Sequence, residues 1–205
     1  MEVKLFYDEI TYCNSYLVIR ENKECAIIDS GGKDMSRLIE YIKSNNLDLK
    51  CILITHGHFD HIIGTPQVLE YKKVPVYVNE KDKEFFYNHI LSLSYWIDEQ
   101  FKLDDKYELS LFNDKDMIFG FECISTPGHT KGSTCFYDKE NKVMFTGDTL
   151  FNMAYGRTDF PTGDARQLRD SLNKILSMEK DITIYPGHGE NSTINQEYIN
   201  YFGCY

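Results

Sequence analysis

The spacing of apolar and polar positions along this chain changes period several times, and each change predicts an element. "VKLFY", "NSYLVIR" and "ECAIID" are short runs rich in β-branched and aromatic residues, each closed by turn formers, the third by Ser30-Gly31-Gly32. Their spacing predicts an antiparallel meander. The period then becomes helical: behind Asp34 as cap, Met35, Leu38, Ile39 and Ile42 recur in "DMSRLIEYIKSNN". The continuous apolar run "LKCILIT" predicts a buried strand that delivers the chain to Thr55. "GTPQVLEYKK", with Pro66 in its first turn, predicts a helix, and "VPVYV" a further strand.

Residues Asn79 to Asp116 break this rhythm. They are rich in Phe, Tyr and Leu, carry Trp96, and predict one or two helices that serve either as a packing excursion or as a wall over a nearby pocket. The second half then repeats the first in outline. Strands are expected at "MIFGFECIST", "STCFYD", "KVMFTGD" and "DITIYPG", with helices at "DARQLRDSLNKIL" and from Thr193 onward. Strands followed by a helix, twice over, predict an α/β fold of two sheets packed face to face with helices outside. The 205 residues suit one domain, 1–205, with a helical and aromatic excursion at about 79–116.

Composition narrows the partners. The net charge of −10 opposes a nucleic-acid partner, because binding a polyanion requires a basic face that displaces counterions. No run approaches the ~20 apolar residues of a membrane span, and the opening "MEVKLFYDEITYC" lacks the pattern of a secretory leader. A cytoplasmic protein acting on a small molecule, without membrane or nucleic acid, is the expectation; oligomeric state is not legible. Cys13, Cys25, Cys51, Cys123, Cys135 and Cys204 form no C-x-x-C pair, and reduced core thiols are expected.

The histidines carry the chemistry. "THGHFDH" at Thr55–His61 holds three of the six in the chain, and "TPGHT" and "YPGHG" hold two more, His129 and His188; only His89 lies elsewhere. His56 and His58 are two apart, so on a strand continuing through Thr55 both project to one side. Asp60 and His61 fall where the loop turns into the next helix, aimed back over the same spot. His129, Asp148 in "GDTLF" and His188 each follow a strand end beside glycine or proline, where a tight turn lets a short side chain reach inward. Seven nitrogen and oxygen donors exceed the needs of one zinc, since catalytic zinc sites usually keep three protein ligands and a water. Two adjacent ions fit better, with zinc ahead of iron or manganese for a donor set free of cysteine.

These motifs, in this order and spacing, resemble the metallo-β-lactamase fold, and specifically its glyoxalase II-like (hydroxyacylglutathione hydrolase-like) members; "GDTLFNMAYGRTDFPTGD" is the most subfamily-specific run. The resemblance implies a four-layer αβ/βα sandwich. It implies that His56, His58 and His129 hold one ion, that Asp60, His61 and His188 hold the other, and that Asp148 bridges them. It further implies hydrolysis of a thioester by a metal-bridging hydroxide, with Asp60 orienting the nucleophile. Neighbouring activities of the fold are a mononuclear-iron persulfide dioxygenase, using His56, His129 and Asp148, and a lactone or ester hydrolase. Glutathione-using members typically continue into a helical domain, whereas sixteen residues follow Gly189 here, so a different pocket is expected. Lys131, Tyr155 and Arg157 are candidate substrate contacts, with Arg157 and Asp159 alternatively a structural ion pair.

Overall fold

A computed structural model describes residues 1–98 and 100–203. They divide into two compact units, Met1–Phe112 and Asn113 onward, each built on one six-stranded sheet.

In the first unit β1 (Glu2–Tyr7), β2 (Asn14–Ile19) and β3 (Glu24–Ile28) form the antiparallel meander that the spacing predicts. Helix α1 (Ser36–Ser44) follows, with Asp34 Oδ1 accepting the Ser36 amide at 2.9 Å. It then leads into β4 (Asp48–Leu53), which pairs with β3 in parallel, as a crossover helix permits. A single turn, α2 (Phe59–Ile62), and α3 (Thr65–Tyr71), with proline in its first turn, lead to β5 (Val76–Asn79). Leu38, Ile39 and Ile42 of α1 and Val68 and Leu69 of α3 are buried in one cluster with Leu17, Ile27 and Ile52 of the sheet. At roughly 1.5–3 kcal/mol per fully buried aliphatic side chain, this face rather than helix propensity holds two such short helices in place.

The aromatic excursion contains two 3₁₀ turns, Glu80–Phe86 and Ser94–Ile97, and then a strand that the pattern did not predict, β6 (Leu109–Phe112), added in parallel at the edge beside β5.

The second unit opens with a difference. "MIFGFECIST" is two strands, β7 (Met117–Ile118) and β8 (Phe121–Ser125), because Phe119 and Gly120 both take positive φ and fold the run into a two-residue hairpin. β9 (Thr134–Asp138) and β10 (Val143–Gly147) continue antiparallel. A small hairpin, β11 (Leu150–Phe151) and β12 (Ala154–Tyr155), follows Asp148. Helix α4 (Ala165–Leu176) is capped by the Asp164 carboxylate, which accepts the Arg166 and Gln167 amides. β13 (Thr183–Pro186) lies parallel to β10; then come β14 (Ser192–Thr193) and α5 (Ile194–Phe202), whose cap is Thr193. Leu168, Leu172, Ile175 and Leu176 of α4 and Ile194 of α5 share a core with Ile124, Met144 and Ile184 of the sheet.

Candidate metal centre

In the first unit the ligand motif leaves the end of β4 and is gripped residue by residue. Asp29, just beyond β3, has φ 57, a left-handed conformation that aspartate tolerates better than most residues. Its carboxylate accepts the Thr55 amide (2.7 Å) and the Thr55 hydroxyl (2.8 Å), and also pairs with His61 Nδ1 at 2.8 Å. Asp82, fully buried on the first 3₁₀ turn, accepts the Gly57 amide at 3.0 Å, and the Ser92 carbonyl accepts the Phe59 amide at 2.7 Å. The excursion therefore packs against the motif and supplies two of its anchors.

These anchors set the imidazoles. A carboxylate only accepts, so His61 Nδ1 carries the proton and Nε2 keeps its lone pair. The Thr55 hydroxyl spends its proton on Asp29 and lies 3.2 Å from His56 Nδ1, which makes Nδ1 the donor and leaves His56 Nε2 as a ligand atom. His56 Nε2 is 3.1 Å from His58 Nδ1, and the His56 and His61 ring centroids are 4.0 Å apart. Two nitrogens bound to one tetrahedral zinc at 2.0–2.1 Å stand about 3.4 Å apart, so the His56–His58 separation suits a shared ion. Asp60 Oδ2 is 3.9 Å from His61 Nε2. His56, His58 and His61 are buried; Asp60 is partly exposed.

In the second unit His129, Asp148 and His188 converge. Asp148 Oδ2 lies 3.5 Å from His129 Nε2 and 3.6 Å from His188 Nε2. His129 Nδ1 donates to the Arg157 carbonyl at 2.7 Å, again directing Nε2 inward. The Gly187 amide donates to the Gly147 carbonyl at 2.9 Å and ties together the strand ends that bear His188 and Asp148. Two glycines are required by space. A Cβ on Gly128, which has φ +138, would lie 2.2 Å from the Leu168 amide nitrogen of α4; one on Gly156 would lie 1.8 Å from the Asp148 carbonyl. The close approach of α4 is what holds the His129 turn.

Of the candidate substrate contacts, Arg157 forms the ion pair: its guanidinium engages both carboxylate oxygens of Asp159 (2.6 and 2.7 Å) and lies over the Phe160 ring. Arg157 holds the Asp159 carboxyl down at about 2. Tyr155 is exposed on the β11–β12 hairpin and Lys131 is half-buried, its amide donating to the Thr162 hydroxyl.

Cys13, Cys25, Cys51, Cys123 and Cys135 are buried and unbridged; Cys204 lies outside the described residues. Burial pushes the Cys13, Cys25, Cys51 and Cys123 thiols up to about 12 and Cys135 to about 11, which disqualifies them as nucleophiles. Among the described residues no helix is long and apolar enough to cross a membrane.

Asp29 and Asp82 escape a reading by motif, since each holds an amide about 25 residues away in the chain. The signal for Asp29 was its position, closing a strand-like run before Gly31-Gly32 as the ligands close theirs.

Residues 9–188 match the metallo-beta-lactamase superfamily. The chain is 39% identical over 201 residues to hydroxyacylglutathione hydrolase GloC of Haemophilus influenzae, covering 90% of this chain and 89% of that one. Its fold matches that of BLEG-1 B3 metallo-beta-lactamase with a TM-score of 0.92 over the whole of both chains at 33% identity. It matches TTHA1623, solved in a di-iron-bound form, with a TM-score of 0.85 at 29% identity over 95% of this chain and 96% of that one. The donor set suits the divalent metals of this superfamily. With these motifs, two mixed sheets and outlying helices, the chain belongs to the metallo-β-lactamase superfamily and is a metallo-hydrolase of the glyoxalase II-like kind.

Proposed function

We propose that the chain hydrolyses hydroxyacyl thioesters with two divalent ions, zinc ahead of iron or manganese, held by the seven donors as the resemblance partitions them. The observation that carries this reading is Asp148, whose Oδ2 stands 3.5 and 3.6 Å from the Nε2 atoms of His129 and His188, so that it would serve as the carboxylate the resemblance shares between two ions. The likeness to GloC, a hydroxyacylglutathione hydrolase, supports the thioester, and the di-iron form of TTHA1623 supports the count.

When bound, divalent metal supplies Lewis-acid polarisation of the carbonyl and a water acidified toward neutral pH. The protein supplies the rest. Asp29 and the Arg157 carbonyl hold His61 and His129 in the tautomer that binds through Nε2. Asp60 orients the attacking oxygen by accepting its hydrogen bond at a carboxylate oxygen. A thiolate leaves readily because a simple thiol has a pKa of about 8.5, so the site needs no protonated side chain for the departing group. Lys131 and Tyr155 are the proposed substrate contacts. Arg157 is secondary, since Asp159 already engages it. Reduced thiols agree with a cytoplasmic setting.

The test is metal content of freshly purified protein, followed by turnover of a hydroxyacyl-glutathione thioester, simple acyl thioesters, a lactone and a penicillin. Near two ions per chain with thioesters turned over fastest is expected. One iron with oxygen consumed on a persulfide, or preference for the penicillin or lactone, would overturn the reading.

A further inference from the structure

Helix α5 carries a buried carboxylate that the chemistry above leaves unused. Glu197 is 2% exposed, and its hydrogen-bond donors among the described residues are all neutral groups. Oε2 accepts the Met153 amide at 2.9 Å and the Asn200 side-chain amide at 3.0 Å; Oε1 accepts the Ser192 hydroxyl. A buried carboxylate is costly unless its hydrogen bonds are met, so its place here calls for a reason.

The positions of its partners supply that reason. Met153 is the second of the two turn residues of the β11–β12 hairpin, at φ 60, five residues beyond Asp148. Ser192 opens β14, four residues beyond His188. One side chain therefore clasps both segments that leave the ligands Asp148 and His188. Two further contacts run the same way: the Asn152 side chain donates to the Asn191 carbonyl at 3.5 Å, and the Tyr155 and Tyr201 rings meet edge to face at 6.3 Å. On the ligand side the strand ends are already tied by the amide of Gly187 on Gly147. Glu197 ties them on the far side, and the separation of Asp148 from His188 is fixed from both ends.

We infer that Glu197 is a positioning residue for Asp148 and His188, setting the spacing at which this pair takes a metal ion. The inference rests on the ligand roles proposed above. It distinguishes glutamine from alanine at this site. Glutamine keeps one oxygen to accept from Met153 and Asn200, and its amide donates to the Ser192 oxygen; alanine drops all three bonds.

The experiment is zinc titration of chelator-stripped protein against a chromophoric competitor, for wild type, Glu197→Ala and Glu197→Gln, with circular dichroism on each. For Glu197→Ala the expected result is a native spectrum and a weaker-site affinity reduced roughly tenfold, the low end for outer-shell partners of metal ligands, with Glu197→Gln close to wild type. In the metal-loaded state kcat should fall more than KM rises. Should Glu197→Ala not fold, Ser192→Ala and Asn200→Ala release one bond each and are expected to weaken the same step by a smaller factor. Unchanged zinc affinity in a folded Glu197→Ala, or in both milder variants, overturns the inference. Wild type that takes up no zinc, iron or manganese would instead overturn the proposed ligand roles, so the two failures are distinguishable.

Discussion

Asp29 Oδ2 stands 2.8 Å from His61 Nδ1, both groups shut off from solvent, and the same carboxylate holds the amide and hydroxyl of Thr55, the first residue of the ligand motif. One side chain thus fixes where the motif begins and how its last imidazole is turned. Outer carboxylates of this kind orient a ligand histidine and raise its basicity.

Asp29→Asn should therefore separate shape from charge. The asparagine oxygen can accept the Thr55 amide or the His61 proton, while its NH₂ must meet another donor. Metal affinity is expected to fall about 10–100-fold. Asp29→Ala should in addition lose about 1–3 kcal/mol of stability through the Thr55 amide left buried without an acceptor. Metal titration and urea unfolding check the two effects; an Asp29→Asn protein with wild-type affinity would remove the orienting role.

Asp148→Ala deletes the carboxylate that lies between His129 and His188. It should release one or both metals and abolish thioester turnover while the circular dichroism spectrum stays native. Full activity in this variant would exclude a shared carboxylate.

What the sequence made legible, and what it hid, follows from the range of the interactions. The helices at Ser36–Ser44 and Ala165–Leu176 were readable because their apolar periods face a sheet, and the turns that carry His129, Asp148 and His188 because each follows a strand end beside glycine or proline. The break between β7 and β8 was not, because it depends on positive φ at Phe119, a residue with no turn preference. β6 was hidden in an aromatic stretch with no alternation, and Asp82 and Ser92 in the same stretch act on amides 25 and 33 positions earlier in the chain. No local period encodes such a contact. The excursion was open between packing and pocket wall; its anchoring of Gly57 and Phe59 supplies the packing role, while Tyr95 and Trp96 remain exposed.

Asp82→Ala tests that anchoring. Gly57 sits between His56 and His58, and losing its buried acceptor should cost about 1–3 kcal/mol and loosen both imidazoles. Asp82→Asn keeps an oxygen for the amide and should cost less. A lowered urea midpoint together with weaker zinc binding is expected for the alanine; an unchanged midpoint would show that the excursion does not anchor the motif.

The buried thiols give the protein an alkaline limit. Cys51 is pushed from the ordinary 9.0 to about 12 by burial, so the folded state holds its proton more tightly than the unfolded chain does. A raised folded value means that the contribution is fully present below 9.0 and is lost as pH rises from there toward 12, at up to about 1.4 kcal/mol per pH unit for one thiol. Lysines and tyrosines titrate in the same range, so the measurement is a difference: urea stability of wild type minus that of Cys51→Ala, at pH 8 and again at pH 10.5. The difference should shrink at the higher pH, because only the wild type carries the thiol that ionises on unfolding. A difference that stays constant would mean that Cys51 ionises as easily in the fold as outside it.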